Sequence, residues 1–166
     1  MSVAIKRLGP GDEATLELLA RDDADFDLEG RGHELPPLKP SMAQRYLANP
    51  AVLHWVAVQD GVVTGFLYCA HLLLRTHPGQ ELLLYEVGVR QAYRRQGVGR
   101  ALLDYMARWM QKSEISEVWV CADNRVAVDF YRGCDFTSEE PQPVYLTRTV
   151  GPSSKDPATT TLLSRG

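Results

Sequence analysis

Residues 81–111 read ELLLYEVGVRQAYRRQGVGRALLDYMARWMQ, and the reading of the rest of the chain follows from this stretch. Glu81 to Val89 reads as a strand, bounded by turn-forming residues on its N-terminal side. From Gly97 to about Gln111 the pattern changes: Leu102, Leu103, Met106, Trp109 and Met110 recur at helical spacing. The junction is Arg94-Arg95-Gln96-Gly97-Val98-Gly99. Glycines let a main chain approach a ligand closely. A helix start presents N–H groups that have no partner within the helix, at the positive end of the helix dipole. Arginines beside it add formal charge suited to phosphate. The junction therefore reads as an anion site. A Walker loop would need Lys-Ser/Thr after its last glycine, and here Gly99 is followed by Arg100-Ala101. A dinucleotide fingerprint would need a third glycine where Leu102 stands.

Upstream, Val3 to Arg7 alternates as a short strand, and Gly9-Pro10-Gly11 breaks it. Asp12 can cap a helix running to about Asp22, and Ser41 can cap a second over Met42 to Ala48, ended by Asn49-Pro50. Val52 to Gln59 and Val62 to Leu74 are strands joined by the hairpin turn Asp60-Gly61. His77-Pro78-Gly79 turns the chain into Glu81–Val89. Downstream, Val118 to Ala122 is apolar throughout, as a central strand would be, and Asn124 to Arg132 reads as a helix. A last strand is expected near Val144 to Thr149. The order is β-α-α-β-β-β-α-β-α-β, an α/β domain of the α+β type with a mixed, mostly antiparallel sheet flanked by helices. Residues 1–150 are expected to form this domain and 151–166 a flexible tail, being small, polar and Pro-containing.

The chain has 166 residues and 45% apolar content, enough for one cored domain. The N-terminus carries no signal-peptide pattern, and no apolar run nears the roughly 20 residues that span a bilayer. A cytoplasmic protein is expected. Cys69, Cys121 and Cys134 lie far apart, without zinc or redox spacing, and read as buried, reduced thiols; no metal is expected. The four histidines, His33, His54, His71 and His77, show no triad or ligand spacing. Net charge is only −3 but segregated. Asp12, Glu13, Glu17, Asp22, Asp23, Asp25, Asp27, Glu29 and Glu34 face only Arg21 and Arg31 in their stretch, whereas Arg90 to Arg100 holds four arginines and no acid. One domain thus offers a place for a polycation and another for a polyanion. The basic residues cluster at one junction rather than along a face, which argues against nucleic acid.

Tyr93-Arg94-Arg95-Gln96-Gly97-Val98-Gly99 directly after Val87-Gly88-Val89 resembles the signature of the GNAT N-acetyltransferases, Arg/Gln-x-x-Gly-x-Gly/Ala. Asn124-x-x-Ala127-x-x-Phe130-Tyr131-x-x-x-Asp135-Phe136 resembles a second element of that family, with Asp135 where glycine is usual. The resemblance covers roughly residues 3–149. It implies acetyl-CoA as co-substrate, its pyrophosphate held by main-chain amides of Arg95 through Arg100, with Arg94 beside them. It also implies a bulged strand at Val87, Gly88 and Val89 that binds the pantetheine arm, Asn124 on that arm, and Tyr131 protonating the departing thiolate.

Strand alternation places Leu82, Leu84, Glu86 and Gly88 on one face, so a carboxylate interrupts an apolar row. The resemblance implies that Glu86 takes a proton, directly or through water, from the attacking amine; a salt bridge to Arg94 or Arg95 is the alternative. The run Leu84-Tyr85-Glu86-Val87-Gly88-Val89 with Arg94-Arg95-Gln96-Gly97, and the pair Ala122-Asp123, look like the class I aminoglycoside 3-N-acetyltransferases. A small polycationic amine is then the expected acceptor. It would be held by the acidic loop Asp22, Asp23, Asp25, Asp27 and Glu29, and by Asp123. Another small amine, a protein amine, or a coenzyme-binding module without catalysis are the alternatives. Many relatives pair their C-terminal strands, so a homodimer is a further expectation.

Overall fold

The computed structural model describes residues 3–26, 36–75, 80–138, 140, 141, 143–148 and 150. The elements in chain order are β1 (Ala4–Arg7), α1 (Glu13–Arg21), α2 (Asp23–Phe26), α3 (Pro40–Ala48), β2 (Val52–Gln59), β3 (Val62–Leu73) and β4 (Gln80–Val89). A 3-10 turn over Gln91–Tyr93 follows, then α4 (Val98–Lys112), β5 (Glu117–Val120) and α5 (Arg125–Arg132). The five strands form one sheet in the order β1-β2-β3-β4-β5, antiparallel except for the parallel β4–β5 pair. The expected mixed, mostly antiparallel sheet is present. The chain divides into two units, Met1–Cys134 and Asp135–Gly166, and every regular element among the described residues belongs to the first.

Local chemistry accounts for most boundaries. Asp60 and Gly61 both take positive φ, 50° and 80°, which matches the hairpin turn joining β2 to β3. Asn124 caps α5, its Oδ1 accepting the Ala127 N–H at 2.8 Å. Helix α3 begins at Pro40 rather than Met42, because Pro at the first helical position loses no hydrogen bond and brings a preset φ. Asp12 stands at the N-cap of α1, but its carboxylate instead binds Lys6 Nζ (2.5 Å) and the Gly9 N–H (3.0 Å), clamping the β1–α1 turn.

The sheet is covered on both faces. On one face α4 packs through Val98, Leu102, Leu103, Met106 and Met110, all buried. Cys69 Sγ lies 3.5 Å from Met106 Sδ, and the rings of Trp55 and Trp109 are 5.6 Å apart. The other face carries Leu8, Leu19, Phe26, Leu47, Val56 and Phe66 as a cluster beneath α1, α2 and α3. Each fully buried Leu or Phe contributes about 2 kcal/mol.

Two expectations about the end of the sheet are corrected. β5 is the edge strand among the described residues: Glu117 and Trp119 are exposed, and the strand stops at Val120. Its apolar composition therefore does not mark a central strand, and Cys121, just beyond it, is exposed rather than packed. No strand forms at 143–148, and Thr149 lies outside the described residues. Val144, Tyr145 and Leu146 expose three quarters or more of their surface. A strand exists only when an edge accepts its hydrogen bonds, and Pro141 and Pro143 remove two donors at its start. The turn at residues 77–79 and the tail at 151–166 also lie outside the described residues.

Candidate active site

The parallel pairing of β4 with β5 runs from Glu81–Glu117 to Leu84–Val120 and stops. β4 continues for five residues, Tyr85–Val89, still paired with β3 on one side. Its other edge has lost β5, so the two strands part and main-chain N–H and C=O groups of β4 line the opening. The Arg90 N–H pairs with the Thr64 carbonyl, so by alternation Gly88 turns its main-chain groups toward β3, and those of Val87 and Val89 face this open edge. Gly88 is buried on the face that carries Phe26 and Phe66, where a Cβ would come within 2.5 Å of the Phe66 ring.

The bulge falls earlier than expected, at Tyr85. Cys69 pairs with Leu84 and Tyr68 with Glu86, so one β3 step spans two β4 residues. The consequence for Glu86 corrects the alternation argument. Leu82 and Leu84 stay on the α4 face with Cys69, while the extra residue sends Glu86 and Gly88 to the opposite face with Tyr68 and Phe66. Glu86 is exposed there, not buried in an apolar row. The side chains around it are aromatic. Tyr46 from α3 and Tyr68 from β3 have ring centroids 5.7 Å apart, and Tyr68 and Tyr85 5.5 Å. Burial raises the Tyr46 and Tyr68 phenols above the usual range, and Glu86 is among the neighbours that add to both. Behind them Tyr46 Oη is 3.0 Å from His54 Nδ1. Burial drives His54 down to about 4, so its ring is neutral at physiological pH.

Where β4 ends, the chain enters the junction. Arg95 holds φ 60° and Gly97 φ 84°; Gly97 is the N-cap of α4, and no side chain caps it. The first N–H groups of the helix, from Val98, Gly99 and Arg100, are left without intrahelical partners and face outward with the positive end of the dipole. Gly99 is buried with the Phe130 ring 3.0 Å from where a Cβ would sit, so α5 packs directly on the start of α4. Both elements of the sequence signature thus meet here.

The arginines divide their roles. Arg94 donates from Nε to the Val89 carbonyl (3.0 Å) and from Nη2 to the Asp25 carbonyl (3.3 Å), binding the junction to α2. Arg100 donates to the Gly133 carbonyl at the end of α5. The Gln96 amide donates to the Ala92 carbonyl at 2.8 Å. Arg95 is exposed and, among the described residues, has no partner.

The acidic segment is engaged in a way the charge pattern did not reveal. Arg90 sits at the end of β4 with its guanidinium 2.6 Å from Asp22 Oδ2 and 2.8 Å from Asp25 Oδ2, and 4.6 Å above the Phe26 ring. Its Nε donates to the Val63 carbonyl at 2.6 Å. Asp25 also accepts the Gln91 N–H, and Arg90 holds the Asp22 carboxyl below the usual carboxylate range. Asp22 and Asp25 are therefore hooks that dock α1 and α2 onto the sheet. Asp23 stands at the start of α2, and Asp27 and Glu29 lie outside the described residues.

Tyr131, on α5, is 7% exposed, and burial pushes its phenol up to about 12, with Cys69, Asp123 and Cys134 nearby adding to the rise. Cys69 faces α4, so Tyr131 approaches the opening from the α4 side and Glu86 from the other. The Asp123 carboxylate is exposed and accepts the Asn124 amide at 3.0 Å. Asn124 thus has its carbonyl oxygen on the α5 cap and its amide on Asp123. Asp135 holds φ 68°, the left-handed conformation that the usual glycine would supply. No group of metal-ligating side chains and no helix long and apolar enough to cross a membrane occurs among the described residues. Sequence reasoning missed Tyr46 and Tyr68 and gave His54 no role; α3 lays Tyr46 against His54, and the β2–β3 register sets His54 opposite Tyr68.

The sequence profile of the acetyltransferase (GNAT) family matches residues 16–136. The [ribosomal protein bS18]-alanine N-acetyltransferase of Escherichia coli (strain K12) is 26% identical over 130 residues, covering 77% of this chain and 82% of that protein. Among solved structures, an aminoglycoside acetyltransferase, meta-AAC0020, from an uncultured soil metagenomic sample superposes with a TM-score of 0.76 at 24% identity, covering 89% of this chain and 96% of that one. A ribosomal-protein-alanine N-acetyltransferase from Brucella melitensis biovar Abortus 2308 superposes with a TM-score of 0.69 at 19% identity, covering 90% and 100%. These structural likenesses establish the shared fold.

Proposed function

The chain belongs to the GNAT acetyltransferase family, an acyl-CoA-dependent N-acetyltransferase by that membership, and we propose that it moves an acetyl group from acetyl-CoA to an amine of a small polycation, an aminoglycoside at its 3-amino group. The observation that carries this reading is the opening between β4 and β5, with a carboxylate at one side and a protonated phenol at the other.

The residues present fit the co-substrate. The uncapped N-terminus of α4, the left-handed turn at Gly97 and the exposed Arg95 suit a pyrophosphate. The open edge at Val87 and Val89 suits an amide-bearing pantetheine arm laid along it as a strand would be. When bound, acetyl-CoA supplies the activated acyl group. Glu86 accepts the proton that the acceptor amine must lose before it can attack. A main-chain N–H of Val87 or Val89 donates to the carbonyl oxygen as charge develops there. Tyr131, protonated at every physiological pH, gives its proton to the leaving sulfur. Direct transfer needs no cysteine acyl-intermediate, and burial pushes the Cys69 thiol up to about 12, far from a thiolate nucleophile.

The aminoglycoside acceptor draws support from the soil acetyltransferases that share the fold and from the face on which Glu86 stands, lined by tyrosines. A protein amine is the second reading, favoured by the similarity to the enzyme that acetylates the alanine of bS18. Thiol release from acetyl-CoA, screened against gentamicin, kanamycin, spermidine and an alanine-starting peptide, separates them. Turnover with gentamicin supports the proposal. Turnover with the peptide alone replaces it with the second reading.

A further inference from the structure

We propose that Tyr46, Tyr68 and Tyr85 form an aromatic wall beside Glu86 that holds an ammonium of the acceptor other than the one acetylated, so that the preferred acceptors are di- or polyamines. This rests on the acetyl-transfer reading of the same site and adds to it a subsite for a second nitrogen.

The bulge creates the wall. A regular strand would point Tyr85 and Glu86 to opposite faces; the extra residue lets both serve the same one. Tyr85 thereby comes to rest against Tyr68 with ring centroids 5.5 Å apart, and Tyr68 against Tyr46 at 5.7 Å. The row continues inward through His54, 5.8 Å from Tyr68, then Phe66, 5.7 Å from His54, then Phe26, 5.4 Å from Phe66. Its two ends differ. At Phe26 the row is already covered by a cation, the Arg90 guanidinium 4.6 Å from the ring. At Tyr85 the ring is 69% exposed, and among the described residues no cation lies over Tyr46, Tyr68 or Tyr85.

The chemistry selects the ligand. Aromatic faces carry the negative side of a quadrupole and attract alkylammonium groups, and a carboxylate alongside adds a formal charge. The neutral His54 ring behind the wall contributes no opposing positive charge. A π surface favours the charged form of an amine, whereas the nitrogen that attacks a thioester must be neutral. One nitrogen cannot satisfy both demands well. The wall therefore serves a second nitrogen, and Glu86, at the boundary between wall and opening, meets the first.

The test compares two probes of equal shape, choline and its uncharged counterpart 3,3-dimethylbutan-1-ol, titrated into the protein saturated with coenzyme A. Neither has an amine to acetylate. Choline should bind roughly tenfold more tightly. That preference should persist in Tyr85→Phe, which keeps the ring, and disappear in Tyr85→Leu. Coenzyme affinity, unchanged in both variants, verifies that they are folded. Equal binding of the two probes overturns the wall, and so does a preference that survives Tyr85→Leu and Tyr68→Leu alike. If polyamines are turned over without any preference for choline, the wall fails and acetyl transfer stands. If the preference is present and no small amine is turned over, the wall stands and the acceptor reading fails.

Discussion

The two sides of the opening are built on different principles. On the α4 side the binding groups are main chain: uncapped helix N–H groups, a left-handed glycine and the free edge of β4. Most of the side chains there, Arg94, Arg100, Gln96 and Asn124, bind the protein's own backbone. On the side proposed for the acceptor the groups are side chains, from α3, β3 and β4, brought together by register and a bulge. On the function proposed above, a co-substrate with invariant chemistry is met by backbone, whose geometry tolerates substitution, and the acceptor by side chains, which can change without disturbing the fold.

This contrast can be broken most severely at Tyr131. Tyr131→Phe keeps the buried ring, so coenzyme affinity and thermal stability should stay close to those of the parent while kcat falls on the order of 10²–10³-fold. An unchanged kcat, with coenzyme binding intact by calorimetry, would show that the residue only packs.

His54 sharpens the acceptor side. Its pKa is depressed from an ordinary 6.5 to about 4, because burial disfavours the charged ring. Below pH 6.5 the unfolded chain takes up a proton that the folded one refuses, so stability is full above that value and is lost as pH falls toward 4, by about 3 kcal/mol. His54→Phe should flatten this part of the urea-denaturation profile between pH 6.5 and 4. An unchanged acid limb would mean that the loss arises elsewhere.

The smallest effect separates adjacent arginines. Arg95→Ala should weaken coenzyme A binding roughly fivefold to tenfold, with the deficit shrinking at high salt. Arg94→Ala, which removes donors to Val89 and Asp25, should instead lower the melting temperature. Identical behaviour of the two variants would dissolve the distinction.

The same contrast governs what the sequence made legible. The strand, glycine turn and amphipathic helix were readable because they follow one another locally within residues 81–111. The Asp60-Gly61 hairpin was readable for the same reason. The orientation of Glu86 was not, because nothing in Leu84-Tyr85-Glu86 marks a bulge, and one extra residue reverses the face of everything after it. The acidic run looked like free charge, since Arg90 lies 65 or more residues away from Asp22 and Asp25 and only folding joins them. A strand near Val144 was expected from its residues alone, yet propensity by itself does not pair a strand.

The most direct test of the account is amide hydrogen exchange with and without coenzyme A. Protection should rise at Val87 and Val89, where β4 has lost β5, and at Val98–Arg100, where α4 begins, while Gly88, paired with β3, and Leu82–Leu84, already paired with β5, should change little. Protection confined to the Tyr46–Tyr68 side of the sheet, or none at the open edge of β4, would contradict the division of the site on which the mechanism rests.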